Sequence, residues 1–375
     1  VAEGEAELVG DARAFLDSAV VHLAPEEAVF ESMLVGFDRQ QLSRNLKRDT
    51  RRSRERLVRQ LVAFTDSWPW EWTAADFEHW SATHISRGRT AATVRGYQLA
   101  VAAFLRFSAD PRYRWPTVCL ERFGAFPVEV VHDLNVVRHT TDYEGAPESN
   151  RPLTADERKK FFTVANGRAE EATRLGRKGA LAAHRDAVMF LAILGWGTRR
   201  TETSWLNVGD FRRNPKLPSF GCYGQLVVRR GKSANGSPPR RRVIITVYRW
   251  SSLAMQHYVD EVRPRCFAHH PDSGALFPTE RGRRISPRQI DDRFASIRDE
   301  AGLDRALNPH CLRHSYVTDL IELGWPIQLV REQAGHRHVA TTGVYTALSD
   351  DFKDRMIYGT SSPSSPSRKD QARDR

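Results

Sequence analysis

The sequence predicts a mainly α protein with a small β-sheet, an α+β arrangement in which a helical domain precedes a mixed one. Three observations predict it. Apolar residues recur at helical spacing through the first third of the chain. The tetrapeptide Thr154-Ala155-Asp156-Glu157 is a capping box that opens a fresh stretch after an irregular one. Inside that stretch, two segments alternate like a β-hairpin. A chain of 375 residues is also too long for one compact core, so two domains plus tails is the natural count.

Residues 1–48 begin acidic and carry short apolar stretches, Ala14-Phe15-Leu16 and Phe30 to Val35, which leave room for a helix or two. From Arg48 the chain turns basic, with Lys47, Arg48, Arg51, Arg52, Arg54, Arg56 and Arg59 set around a stripe of Leu57, Leu61 and Phe64. Trp68-Pro69-Trp70 reads as a turn, and Thr73 precedes a helical run from Ala74 to Thr83. Thr90 to Phe107 is a third amphipathic helix, with Val94, Tyr97, Val101, Phe104 and Leu105 on one face. These runs define a helical domain over 49–140. Residues 108–152, rich in Pro, Gly and polar residues, read as irregular, with 141–152 as the linker.

The second domain is set at 153–350. Ala187 to Leu194 is an apolar helix, and Gln225 to Arg230 pairs with Arg242 to Val247 around the 231–239 loop. Ser286-Pro287 places a cap and a proline at a helix start. His310 to Leu323 and Pro326 to Ala334 are helices closed by Gly324 and Gly335. Residues 351–375 form a C-terminal segment with a polar, Pro-bearing tail of disordered character.

The formal net charge is +11 and the pI about 9.8, which favours a polyanionic partner, nucleic acid or an anionic membrane surface. No apolar run approaches the roughly 20 residues of a membrane span. The start VAEGEAEL lacks a signal core. Cys119, Cys222, Cys266 and Cys311 are far apart with no CxxC pair, which suits a reducing cytoplasm. Cys119, His132 and His139 are three possible metal ligands at irregular spacing, a weak pattern.

The second domain carries an ordered set of motifs. Gly197-Thr198-Arg199-Arg200-Thr201-Glu202 ends the apolar helix, and Gly231-Lys232 lies in the hairpin turn. His310-Cys311-Leu312-Arg313-His314 follows, then Gly335-His336, and Tyr345 nine residues past His336. Each residue has a plainer reading alone. Arg199 would be an ion pair with Glu202, Lys232 a solvated turn lysine, His310 and Arg313 helix caps, His336 a core histidine and Tyr345 a packing ring among nine tyrosines. Arg229, Arg230, Arg240, Arg241 and Arg242 are rival basic contacts around Lys232. It is the joint order and spacing that argue for chemistry.

That order resembles the catalytic domain of the tyrosine recombinase (phage integrase) family, over roughly residues 153–350. The preceding helices look like that family's core-binding domain. The resemblance implies a catalytic set of Tyr345, Arg199, Lys232, His310, Arg313 and His336. Two arginine forks suit the non-bridging oxygens of a phosphodiester. A histidine three residues before Arg313 faces the same side of a helix and is able to take the tyrosine proton. Lys232 is placed to protonate a leaving 5′-oxygen, and His336 to hydrogen-bond the phosphorus centre. Tyr345 would form a 3′-phosphotyrosyl link, retaining the bond energy without ATP. Tyr316 lies within the His310 helix and reads as a packing residue, and Tyr358, beyond Asp350, does not match the family spacing. No carboxylate cluster of metal-ligand type accompanies the set, so neither metal nor cofactor is expected.

The implied function is a site-specific recombinase, either an integrase or a transposase of a mobile element. Its partner would be double-stranded DNA carrying specific recombination sites. Both domains would form a C-shaped clamp on the duplex, as a homotetramer, with a sibling recombinase or an accessory DNA-bending protein as further partners. No membrane is involved. Residues 1–48 have no counterpart and read as an arm-type DNA-binding or protein-contact segment. A type IB topoisomerase and a non-catalytic DNA-binding regulator are the alternatives.

Overall fold

The computed structural model describes residues 10–16, 23–138, 151–231, 237–238, 241–267 and 271–335. The chain divides into two compact units near residue 140, each with its own buried core.

The first unit is helical. Its helices are α1 (Arg13–Leu16), α2 (Pro25–Ser43), α3 (Arg48–Thr65), α4 (Ala74–Ser86), α5 (Ala91–Ser108) and α6 (Trp115–Phe123). The α2 residues Val29, Phe30, Met33, Leu34 and Phe37 are buried at i, i+3, i+4 spacing, and the α5 stripe Val94, Val101, Phe104, Leu105 is buried as expected. Phe104 receives Phe30 and Phe37 edge-on, with centroids 6.4 and 5.4 Å away. Thr73 caps α4 reciprocally with Asp76, and Thr90 caps α5 through the Thr93 amide.

Two sequence expectations change here. Residues 25–43 are part of this core rather than an arm, because their apolar stripe has nowhere else to be buried. Part of the stretch read as irregular is helix α6, which buries Trp115, Val118 and Cys119. Cys119 is sealed in that core, where burial pushes its thiol up to about 12, so it is no free metal ligand. His132 sits in a turn, its amide on Asn135 Oδ1, and His139 lies outside the described residues.

The second unit opens with α7 (Ala155–Arg174), capped by the Thr154–Glu157 box, and α8 (Ala180–Trp196). The five-residue α9 (Arg200–Ser204) leads to a three-stranded antiparallel sheet of β1 (Phe211–Arg212), β2 (Gln225–Val228) and β3 (Arg242–Ile245), in that order. Leu226 faces Ile244, so the hairpin register buries both. Then come α10 (Arg249–His257), α11 (Pro287–Glu300), α12 (His310–Glu322) and α13 (Ile327–Ala334). Phe161, Phe190 and Phe294 join α7, α8 and α11 through centroid separations of 4.8 to 5.6 Å. Among the described residues, no helix is long and apolar enough to cross a membrane.

Candidate active site

The site is assembled at the ends of four elements. Helix α8 stops at Gly197, which has φ +56° and packs so tightly that an added Cβ would lie 2.2 Å from the Tyr316 ring. Its carbonyl accepts from Arg313 Nη1. Arg313 lies on α12, 1% exposed, and its Nη2 donates to the Ala334 carbonyl. Arg199 sits at the N-cap of α9, where its amide donates to Glu202 Oε2 at 2.8 Å. Its guanidinium reaches Glu202 Oε1 at 2.8 Å and the Gly335 carbonyl at 3.0 Å.

Glu202 is the hub. It is 2% exposed and also receives both Nη groups of Arg242, at 2.8 and 2.7 Å. Burial alone would raise its carboxyl. The hydrogen bonds and charge of Arg242, then the charges of Arg199 and Arg313, hold it instead down to about 2. Arg242 Nε donates to the Gln333 carbonyl at 3.0 Å. Three successive carbonyls at the end of α13, those of Gln333, Ala334 and Gly335, are thus each taken by a different arginine: Arg242, Arg313 and Arg199. A helix C-terminus carries unpaired carbonyls and partial negative charge, so cations there are favoured.

His310 opens α12 on the wall of a cleft of about 540 Å³ shared with Arg199, Arg200, Asp291 and Asn308. Though the residue is exposed at the surface, lost hydration, then the positive charges of Arg313 and Arg199, depress its imidazole to about 4. Its ring meets that of His314 edge-on at 5.2 Å; His314 is itself pushed down to about 3 by burial and by His310. At neutral pH His310 is therefore an uncharged acceptor or donor beside two guanidiniums.

The structure brings Arg199, His310 and Arg313 together. Lys232, His336 and Tyr345 lie outside the described residues, as does Tyr358. Arg200 is spent on Asp291. Tyr316 is fully buried, its hydroxyl donating to the Ile245 carbonyl at 3.2 Å, and burial keeps its phenol protonated.

The sequence pattern grouped Arg242 with Arg229, Arg230, Arg240 and Arg241 as basic contacts rivalling Lys232. The structure corrects this: Arg242 faces inward and braces Glu202. The signal was present, since period-two alternation puts Arg242 on the face of buried Ile244, opposite Val243. The basic run of the first unit also divides. Arg51 pairs with Asp38, Arg59 with Glu31 and Glu55, and Arg54 with Gln41, so Arg48, Arg52 and Arg56 remain exposed. In the second run, Arg95 donates to the Val137 carbonyl, while Arg87 and Arg89 are exposed.

Comparison with known proteins places this geometry. Residues 153–351 match the model of the phage integrase family. The tyrosine recombinase XerC of Alcanivorax borkumensis is 36% identical over 146 residues, 39% of this chain and 44% of that protein. XerC of Chromohalobacter salexigens is 29% identical over 198 residues, 53% of this chain and 56% of its own. The chain thus spans about half the length of these curated relatives. Among solved structures, the XerH site-specific recombinase bound to palindromic difH substrate matches with a TM-score of 0.61 at 14% identity, over 89% of this chain and 97% of its own. The Tn1549 transposon integrase in complex with transposon right end DNA gives 0.58 at 18% identity, over 88% and 99%. These two likenesses speak to the fold. With more than half its length matched, in the stretch that holds Arg199, His310 and Arg313, the chain belongs to the phage integrase family.

Proposed function

We propose that this protein is a site-specific DNA recombinase. It cuts and rejoins double-stranded DNA at specific recombination sites through a 3′-phosphotyrosyl intermediate on Tyr345. The observation that carries the reading is the convergence of Arg199 and Arg313 on the end of α13, immediately before His336 and ten residues before Tyr345, with neutral His310 beside Arg199 in one cleft.

In this reading the two guanidiniums hold the non-bridging oxygens of the scissile phosphate and offset the charge of the pentavalent state. The Tyr345 oxygen forms the new bond to phosphorus as the bond to the 5′-oxygen breaks. The phenolic proton passes to His310, and Lys232 delivers a proton to the departing 5′-oxygen. His336 adds a hydrogen bond to a phosphoryl oxygen. Attack by a 5′-hydroxyl from another strand reverses the sequence, so no ATP is consumed. The first unit, whose core takes in residues 25–43 as well as the helices of 49–140, serves as the core-binding domain and 153–350 as the catalytic domain, working as a homotetramer on two duplexes. A sibling recombinase or a DNA-bending protein is an accessory partner. A cytoplasmic setting fits four cysteines that are all free thiols.

A nicked suicide substrate tests the reading. Wild-type protein is expected to become bound to DNA in an SDS-resistant complex, and Tyr345→Phe to form none. Equal behaviour of the two proteins would remove Tyr345 from the chemistry.

A further inference from the structure

A second feature of the catalytic unit lies outside the set just described. Trp205 is 46% exposed. It caps the C-terminal end of α9, the helix that Arg199 opens, so six residues separate the two, about 9 Å at helical rise. The guanidinium of Arg230 stacks over its ring at 3.9 Å, and that of Arg284 lies 5.3 Å from the same ring.

These two arginines are not neutralised locally. Arg284 donates to three neutral acceptors: the Ser204 and Leu206 carbonyls at 2.9 and 2.7 Å, and Asn207 Oδ1 at 2.5 Å. Burial, then the charge of Arg230, pull its guanidinium below the ordinary value, and Asp210 offsets this only in part. Asp210 is itself held by Arg229 at 2.6 Å. Three guanidiniums around one carboxylate leave a surplus of two positive charges. No carboxylate among the described residues pairs with Arg230 or Arg284.

Stacking on the ring uses the face of the Arg230 guanidinium and leaves its N–H edge for a ligand, while ordering a side chain that would otherwise lose freedom on binding; Arg284 spends its N–H groups on Ser204, Leu206 and Asn207 and contributes charge. We propose that Trp205, Arg230 and Arg284 form a platform for the DNA sugar–phosphate backbone, holding a phosphate of the duplex that lies on Arg199. The proposal rests on the recombinase reading for which strand it touches, but not for its charge or geometry. Arg230 is the contact and Trp205 the positioning residue. Such a contact adds affinity without sequence preference.

The experiment is a salt titration of full-length protein on a fluorescent duplex of arbitrary sequence. Arg230→Gln is expected to weaken binding and reduce the slope of log affinity against log salt by about 0.9, the loss of one phosphate contact. Trp205→Ala is expected to weaken binding about two- to fivefold, the weight of one exposed cation–π stack, at unchanged slope. Trp205→Phe restores most of that loss, and Arg230→Lys keeps the slope while losing the stack. Thermal melting confirms that each variant is folded. An Arg230→Gln protein with wild-type slope and affinity overturns the platform. So does a wild type that fails to hold DNA, which sinks the recombinase reading with it. Weakened platform variants of a wild type that binds DNA but never forms the Tyr345 trap would keep the platform and dismiss the recombinase alone.

Discussion

At the scale of single residues, Glu202 carries a load that its place in the sequence understates. One buried carboxylate faces two guanidiniums, and each of its oxygens accepts from both Arg199 and Arg242. Glu202→Gln would leave Arg199 and Arg242 without the buried counter-charge they share, at a cost of about 3–5 kcal/mol. Denaturant unfolding is expected to show that loss, with cleavage falling further than stability because Arg199 loses its brace; Glu202→Asp should recover part of both. A Gln variant as stable as wild type would mean the carboxylate charge is unimportant. Arg199, His310 and Arg313 were legible because local motifs mark them. Glu202 was visible as a candidate partner for Arg199. Arg242 was not, because in a cluster of five arginines only the strand's alternation separates the inward one from the rest.

Among the elements, the helices with caps and stripes were readable, and the short ones were not. Helix α6 has nine residues, begins Trp115-Pro116 and follows a 3₁₀ turn, so proline and brevity mask its periodicity. Helix α2 carried a usable start signal, Pro25 followed by Glu26 and Glu27, but its stripe becomes meaningful only against α3 and α5. The packing of α8 against α12 offers a direct test. Gly197 is one point of close approach between them, against the Tyr316 ring. Gly197→Ala combines a left-handed backbone penalty with overpacking, about 2–5 kcal/mol in all. It is expected to lower the melting temperature and, by moving the carbonyl that holds Arg313, to abolish covalent trapping. A folded, active Ala variant would show that this junction yields more easily than its contacts indicate.

For the whole molecule, two cores that share no residue predict two unfolding transitions in calorimetry. They should differ in pH response. In the second unit His184, His310 and His314 are all held below the usual histidine range, whereas among histidines of the first unit with a resolved shift only His84 is. A histidine kept neutral by the fold contributes fully above about pH 6.5, and that contribution is lost as pH falls toward its folded value, about 4 for His310 and about 3 for His314. Glu202 adds a further loss below about pH 4.5. Between pH 7 and 5, the transition of the second unit should therefore fall more steeply, and His314→Gln should flatten it. Parallel shifts of both transitions would contradict this assignment.

The grip of three arginines on the last carbonyls of α13 also fixes a tether point. From Gly335 the chain has ten residues to Tyr345, and at full extension these reach about 35 Å. Whatever path they follow, contour length confines the hydroxyl to a volume around the arginines in which its local concentration is on the order of 10 mM. On the proposed reading, a nucleophile at Tyr345 would need little affinity of its own for the phosphate: the guanidiniums that would bind the substrate also hold the point from which its tether starts.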